Sequence, residues 1–284
     1  MTMQIRITSD STCDLSRELI EKYNITVTPL TVTMGSESFP DGVDFDPDRM
    51  FGYVAETGQL PKTSAVNIAD YCDVFGRLVG EGCEVIHFSL SSDMSSAYQN
   101  ACIAASETGH VHVIDSRNLS TGQGLLVMHA ARRALEGADA DTICAECLEL
   151  VPRVEASFII DRLDYLYKGG RCSALSALGA NLMKLKPCIG VKDGRMSPEK
   201  KYRGPFEKVI LQYVADRLSG RDDIDTSLIF ITHSKCSDAV RESVMKKVRE
   251  LIPDAGEIYD TDAGATVSTH CGPNTLGVLF IRKP

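Results

Sequence analysis

Two segments of the sequence place hydroxyl side chains directly ahead of predicted helices. Residues 91–99 read SSDMSSAYQ and follow an apolar strand-like run, so Ser95 is predicted to lie where a strand leads into a helix. Free backbone N–H groups and the positive end of the helix dipole favour an anion there, and the serine hydroxyl adds a donor. Residues 61–67 read PKTSAVN and bring Thr63 and Ser64 to a similar position. The pattern indicates anion binding, with a helix cap at Ser95 and an ordinary loop around Thr63 as alternatives.

A histidine and an arginine extend this set of polar side chains. His270 lies in the segment 269–275, THCGPNT, whose Gly-Pro pair predicts a turn near the end of the chain, where a histidine is a candidate ligand. Arg171 follows a double glycine and is able to meet an anion or to form an ion pair between domains. Ser95 with His270 is also the start of a Ser/His acyl-transfer or hydrolytic site, which needs an orienting acid and an oxyanion hole as well.

Signatures of other chemistry are missing from the sequence. It contains neither the P-loop pattern GxxxxGK[ST] nor the nucleophile elbow GxSxG, and the GQG at 122–124 lacks the third glycine of a dinucleotide site. The single CxxC at 144–147 lies in a predicted helix with no second pair and no nearby histidine. Because zinc takes four ligands, no metal site is predicted.

The elements that position these side chains follow from an alternation of strand-like and helix-like runs. Strands are predicted at 4–8, 84–90 and 110–114, and helices at 95–106 and 121–136. This is the pattern of βαβ units and a mostly parallel sheet, with Asp14 as the cap of the first helix. The pattern changes after residue 152, and Asp193-Gly194 between apolar residues predicts a hairpin. The fold class is therefore α/β, with an N-terminal α/β domain at 1–155 and a mixed α/β domain at 156–284.

Composition narrows the kinds of partner. The 284 residues carry 30 Lys and Arg against 39 Asp and Glu, a net charge of −9, which argues against broad binding to nucleic acid or anionic lipid. Aromatic residues make up 6% and Trp is absent, so a bound molecule is expected to meet aliphatic walls. The N-terminus shows no signal-peptide pattern and no run approaches the ~18 apolar residues of a membrane helix. A cytoplasmic protein with free thiols among its ten cysteines is expected.

Several short motifs, taken in order, give the chain a specific resemblance. They are SDST at 9–12, KTS at 62–64, SSDMSSAYQ at 91–99, DSR at 115–117, LDYL at 163–166, GGR at 169–171, KP at 186–187 and HCGP at 270–273. In this order the chain resembles the DegV family of fatty-acid-binding proteins, the lipid-carrying subunits of bacterial fatty acid kinases. The resemblance covers essentially the whole length.

The resemblance implies a non-enzymatic carrier that holds one long-chain fatty acid between two DegV-like domains. Its carboxylate is expected on Thr63 and Ser95 with His270 nearby, and Ser64, Ser96, Arg171 and Gly272 are further candidates for the site. No cofactor is implied beyond this ligand. The partner is expected to be a kinase subunit that forms an acyl phosphate for phospholipid metabolism, with Arg203 as a candidate contact.

Two departures from the family pattern affect the head-group site. The usual LSGTY reads MSSAY at 94–98, so a glycine is replaced by Ser96 and a threonine by Ala97. The usual GPG reads GPN at 272–274, a milder change because Asn tolerates left-handed backbone angles. Besides the hydrolytic alternative, a lipid-responsive sensor whose ligand only biases a protein interaction remains open.

Overall fold

The computed structural model describes residues 3–43, 45, 47–172 and 185–284. Within these ranges the strands are β1 Gln4–Asp10, β2 Thr26–Thr28, β3 Thr31–Met34, β4 Glu37–Pro40, β5 Lys62–Ser64, β6 Cys83–Ser89, β7 Val111–Asp115, β8 Val154–Glu155, β9 Ser157–Ile159, β10 Leu185–Lys192, β11 Arg195–Arg203, β12 Leu228–Ser234, β13 Glu257–Asp262 and β14 Thr275–Ile281. The α-helices are α1 Arg17–Lys22, α2 Pro47–Thr57, α3 Ile68–Gly80, α4 Ala97–Thr108, α5 Thr121–Leu135, α6 Ala140–Leu150, α7 Leu163–Lys168, α8 Phe206–Leu218, α9 Asp238–Leu251 and α10 Ala265–Cys271.

The first sheet is the parallel sheet that the sequence predicts. Its strand order is β2-β1-β6-β7, and all three pairings are parallel. Strand β6 is buried along almost its whole length, as expected for a strand with helices on both faces. The predicted α/β fold class is therefore confirmed. Because β1 and β6 are parallel, the loops that follow them leave the sheet at the same edge.

The second sheet is mixed and belongs to the last 130 or so residues of the chain. Its order is β11-β10-β9-β14-β12-β13, with β8 added beside β14. Most neighbours are antiparallel, and only β12 and β13 run parallel. Asp193 and Gly194 form the turn between β10 and β11 with φ of 50° and 81°, which confirms the predicted hairpin.

A small antiparallel sheet of three short strands, β4-β3-β5, was not predicted. Its middle strand pairs Val32 with Thr63, so this sheet carries one of the candidate binding residues. Strands of three or four residues are too short for the period-two alternation that identifies a strand in a sequence.

One apolar core joins the two larger sheets. Leu126 of α5 packs in the same cluster as Ile86 of β6 and as Phe230 and Leu279 of the second sheet. All four side chains are at most 4% exposed. The two halves of the chain are therefore held together by continuous hydrophobic packing rather than by a loose linker.

The start of α1 differs from the prediction. Asp14 does not cap it; the cap is Ser16, whose hydroxyl accepts a hydrogen bond from the Leu19 N–H at 3.3 Å. Asp14 has φ of 50° and follows a short 3-10 turn instead. It is buried, and its carboxyl group faces the start of α10.

Candidate functional site

Five of the candidate residues border one cavity between the two halves of the chain. Thr63, Ser64, Ser95, Arg171 and His270 all line it. Its remaining walls are largely aliphatic or sulfur-containing and come from Leu30, Leu90, Met94, Leu119, Met196, Val267 and Cys271, with Thr12, Ala65 and Thr266. The cavity holds about 500 Å³ of empty space, part of it open to solvent.

The closest contact between candidate residues is a hydrogen bond between Thr63 and His270. Thr63 Oγ1 and His270 Nε2 are 2.8 Å apart and join strand β5 to helix α10, which are 207 residues apart in the sequence. The Gly-Pro pair predicted that His270 would lie in a turn, which is wrong: His270 lies in the last turn of helix α10. The helix is only seven residues long and begins at Ala265, so its sequence carries little helical periodicity.

The His270 ring is packed too closely to allow a side chain opposite it. A Cβ built on Gly169 would lie 2.3 Å from His270 Nδ1, so the double glycine after α7 admits the ring. Burial, and to a smaller extent the Arg171 guanidinium, lowers the pKa of His270 from 6.5 to about 4. The imidazole is therefore neutral at pH 7, and Nδ1 has no hydrogen-bond partner in the described part of the chain.

Ser95 lies in the loop between β6 and α4, two residues before the helix begins. The first helical residue is Ala97 and the cap position is Ser96, whose side chain makes no capping hydrogen bond. Ser95 Oγ accepts a hydrogen bond from the Ala97 N–H at 3.2 Å, and the Ser95 N–H donates to the Ser91 carbonyl at 3.1 Å. These contacts fix the loop and leave the Ser95 hydroxyl hydrogen able to donate to a ligand.

A buried carboxylate that the sequence analysis missed holds the base of this loop. Asp10, at the end of β1, accepts hydrogen bonds at 2.8 Å from both the Ser89 hydroxyl and the Leu90 N–H. The Tyr71 hydroxyl donates to its other oxygen. Asp10 and Tyr71 are fully buried or nearly so. Asp10 of the SDST motif therefore holds the start of the loop that carries Ser95.

Two further carboxylates hold the start of α10. Asp14 accepts a hydrogen bond from the Gly264 N–H at 2.9 Å, and Asp41 accepts one from the Ala265 N–H at 2.8 Å. Ser120 also donates to Asp14, at 2.5 Å. Burial raises the pKa of Asp14 to about 8, with a smaller contribution from the nearby Asp41. The helix that carries His270 is thus fixed at its first turn by residues from the N-terminal half.

A second cavity lies beside the first. The two share Leu119, Val267 and Cys271, and the second holds about 400 Å³ of empty space. It extends along β14 from Thr275 to Leu279, a span of roughly 13 Å at about 3.3 Å per residue. The hydroxyls of Thr232, Ser234 and Thr275 at its edge are already hydrogen-bonded within the protein. The two cavities thus share one wall, with most of the candidate polar side chains around the first and a mainly apolar lining around the second.

The other candidate residues do not border either cavity. Ser96 is exposed beside the loop, and Arg203 is exposed at the end of β11. Gly272 is buried with φ of 74°, and a Cβ there would lie 2.8 Å from the Tyr165 ring. It therefore shapes the end of α10 and does not contact the cavity itself.

Neither a metal centre nor a membrane helix is found in the described ranges. No group of three or more His, Cys, Asp or Glu side chains there is placed to hold a metal ion. None of the helices described is both long and apolar enough to span a bilayer. The cysteines are free thiols, and burial raises the pKa of Cys271 beside the cavity to about 12.

Comparison with known proteins gives one consistent family. The family model described as "Uncharacterised protein, DegV family" matches residues 4–283. A DegV domain-containing protein of Clostridium acetobutylicum is 34% identical over 285 residues, covering 99% of each chain. A solved DegV family protein from Thermus thermophilus, described by its fatty acid binding, has a TM-score of 0.88 at 27% identity and covers 99% of this chain and 100% of its own. A stearic acid-binding protein from Eubacterium ventriosum has a TM-score of 0.86 at 26% identity, covering 98% of both chains. The chain therefore belongs to the DegV family.

Proposed function

We propose that this protein binds one long-chain fatty acid, with the carboxylate at Thr63, Ser95 and His270 and the acyl chain extending through the two neighbouring cavities. The observation that carries the proposal is the Thr63–His270 hydrogen bond at the polar end of a cavity whose other walls are mainly apolar. Two solved structures of proteins that are 27% and 26% identical to this chain are described by their fatty acid binding, which supports the same ligand class here. The ligand is then held at the junction of the proposed domains, 1–155 and 156–284.

In the proposed head-group site the donors are neutral. We assign the proton of the neutral imidazole to Nε2, so that His270 donates to Thr63 Oγ1, 2.8 Å away, and the Thr63 hydroxyl hydrogen is directed towards the carboxylate. The Ser95 hydroxyl donates beside it. Arg171 is exposed and donates to the Gly169 carbonyl at 2.8 Å. Its guanidinium is therefore not assigned a bidentate hydrogen bond to the ligand carboxylate. Neutral donors hold a carboxylate less tightly than an arginine fork, which leaves its oxygen able to react.

The acyl chain supplies most of the binding free energy. Roughly 15 buried methylenes contribute about 12 kcal/mol at about 0.8 kcal/mol each, before the cost of ordering the ligand. The walls that would receive them include Leu119, Val267, Phe158 and Leu279, all of them buried. The head group then determines orientation, while the cavities determine retention.

We propose further that the bound carboxylate is presented to a cytoplasmic kinase subunit that converts it to an acyl phosphate for phospholipid metabolism. In this function the protein is a carrier without catalysis of its own. Arg203, exposed at the end of β11, is a candidate contact for the phosphate-handling partner. Fatty acid uptake with no effect on any kinase would favour the lipid-responsive sensor instead.

The geometry supports the carrier over the hydrolytic alternative. His270 is hydrogen-bonded to Thr63 and not to Ser95, whose Oγ accepts from the Ala97 N–H. An acyl-transfer site also needs an acid that orients the histidine, yet Nδ1 contacts no such group in the described chain. Turnover of a long-chain ester by the isolated protein would favour the hydrolase.

The proposed head-group site is tested by a matched pair of serine variants. Ser95→Ala removes a hydroxyl that borders the cavity, whereas Ser96→Ala removes an exposed hydroxyl next to it. We expect Ser95→Ala to weaken the binding of oleate and palmitate and to abolish kinase-dependent phosphorylation, with a smaller effect on folding from the loss of the Ala97 N–H contact. Equal affinity in the wild type and both variants would remove Ser95 from the site.

A further inference from the structure

A cluster of charged contacts joins the Ser95 loop to the hairpin between β10 and β11. Asp93 Oδ1 accepts two hydrogen bonds from Arg195, from Nε at 2.9 Å and from Nη2 at 2.8 Å. Its other oxygen forms an ion pair of 2.6 Å with Arg117 Nη1. Asp93 lies in the loop after β6, Arg195 begins β11 and Arg117 follows β7, so three separate elements meet at one carboxylate.

A second row of contacts closes the same junction with backbone groups. The Ser91 hydroxyl, which is buried, donates to the Gly194 carbonyl at 2.7 Å, and Arg117 donates to the Asp193 carbonyl. The hairpin must carry glycine at 194, because its φ is 81° and a Cβ there would lie 2.5 Å from Arg117 Cζ. The turn is therefore shaped to receive the arginine.

Both partners of the Asp93–Arg195 pair are adjacent in sequence to walls of the cavity. Met94 and Ser95 follow Asp93, and Met196 follows Arg195; all three line the cavity. Met196 is buried and Met94 is half-buried, so these side chains stand between the ligand path and the ion pairs. Movement of the hairpin away from the loop would separate Met196 from Met94 and would remove the contacts that hold the loop carrying Ser95.

The rest of the junction between the two halves is less able to open. It is the apolar core that contains Leu126, Phe230 and Leu279, and parting it would expose buried hydrocarbon at about 25 cal/mol per Å². The Arg195 side chain, in contrast, is 76% exposed, and exposed ion pairs are weak and screened by salt. Local separation of the hairpin tip from the loop is the least costly opening of the cavity.

We propose that the contacts of Asp93 with Arg117 and Arg195, here called the Asp93 latch, control how fast the bound fatty acid exchanges. The inference rests on the proposed function and deepens it. With the latch formed, the loop and hairpin enclose the ligand and Ser95 is held in place. With the latch broken, the acyl chain leaves past Met94 and Met196. Asp93 and Arg195 are positioning residues and contact no ligand atom themselves.

The test is the dissociation rate of cis-parinaric acid from the intact protein, followed by its fluorescence after addition of excess oleate. We expect Asp93→Asn and Arg195→Gln each to accelerate dissociation roughly three- to tenfold, as for the loss of one or two partly screened ion pairs. The double variant is expected to be no faster than the faster single variant, because both remove the same contact. Glu21→Gln, which breaks the exposed Arg17–Glu21 pair on α1, is the matched control and should leave the rate unchanged.

The salt dependence of the dissociation rate distinguishes an electrostatic latch from a purely structural role of Asp93. Raising the salt concentration from about 0.05 M to about 0.5 M is expected to speed dissociation from the wild type and not from Asp93→Asn. Since Arg195 is largely exposed, Arg195→Gln keeps the test valid if Asp93→Asn does not fold. Normal binding with wild-type dissociation rates in both variants would overturn the latch alone. A wild type that takes up no cis-parinaric acid, oleate or palmitate would overturn the proposed function and the latch with it.

Discussion

Replacing Thr63 by valine removes one hydroxyl and keeps the branched shape of the side chain. The residue lies in β5 opposite Val32, so a β-branched replacement suits the strand and the fold should be retained. The variant loses the donor that we place on the ligand carboxylate and leaves His270 Nε2 without its 2.8 Å partner.

The size of the effect follows from the charge of the acceptor. A hydrogen bond to a charged group is worth about 1.5–3 kcal/mol, which corresponds to a roughly 10- to 150-fold rise in Kd for a fatty acid. A hydrogen bond to a neutral acceptor is worth about 0.5–1.5 kcal/mol. The methyl ester of the same acid should therefore lose less affinity on Thr63→Val than the free acid does. Thr63→Ser keeps the hydroxyl and should bind within roughly threefold of the wild type.

The assay is competitive displacement of a fluorescent fatty acid, with the thermal transition of each variant recorded as a check on folding. Two results would exclude a contact between the Thr63 hydroxyl and the carboxylate. One is a Thr63→Val protein that binds the acid as well as the wild type does. The other is an equal loss for the acid and its methyl ester, which would show that the hydroxyl does not contact the carboxylate.

Three further predictions concern Asp14, His270 and the second cavity. The pKa of Asp14 is raised from 3.8 to about 8, so its contribution to stability is full below pH 3.8 and is lost as the pH rises towards 8. The difference in free energy of unfolding between the wild type and Asp14→Asn, measured by chemical denaturation, should therefore shrink over that pH range. Because the pKa of His270 is lowered from 6.5 to about 4, wild-type stability should fall by up to about 3 kcal/mol as the pH drops through that interval, and His270→Gln should show a smaller fall. Ala263→Leu places three more carbons in the second cavity and should shift preference towards shorter fatty acids in a chain-length series; an unchanged preference would contradict the path we assign to the chain.

The sequence predicted the larger elements because long apolar runs have a clear period. The parallel strands β1, β6 and β7, the long helices and the Asp193-Gly194 hairpin are all in the structure, within a few residues of their predicted limits. Strand β5 and helix α10 were not predicted, since three and seven residues carry too little periodicity. These two short elements hold Thr63 and His270.

The contacts that organise the site could not be predicted from local pattern. Asp10, Asp14 and Asp41 act on loops and helices far away in the sequence; Asp14 meets Gly264 across 250 residues. Asp14 instead resembled a helix cap, because an aspartate ahead of an apolar run has that appearance whatever it contacts. The resemblance to a family supplied what periodicity did not, namely that Thr63, Ser95 and His270 belong together. The cavity brings the three together, while Ser96 and Gly272 lie outside it.

Mass spectrometry of the purified protein shows whether the two neighbouring cavities hold a fatty acid. The intact protein is measured under native conditions and again after denaturation and organic extraction. We expect a single long-chain fatty acid per protein under native conditions, released without any covalent adduct on denaturation. A protein that is empty as purified and takes up neither added oleate nor palmitate would rule out fatty acid binding as its function.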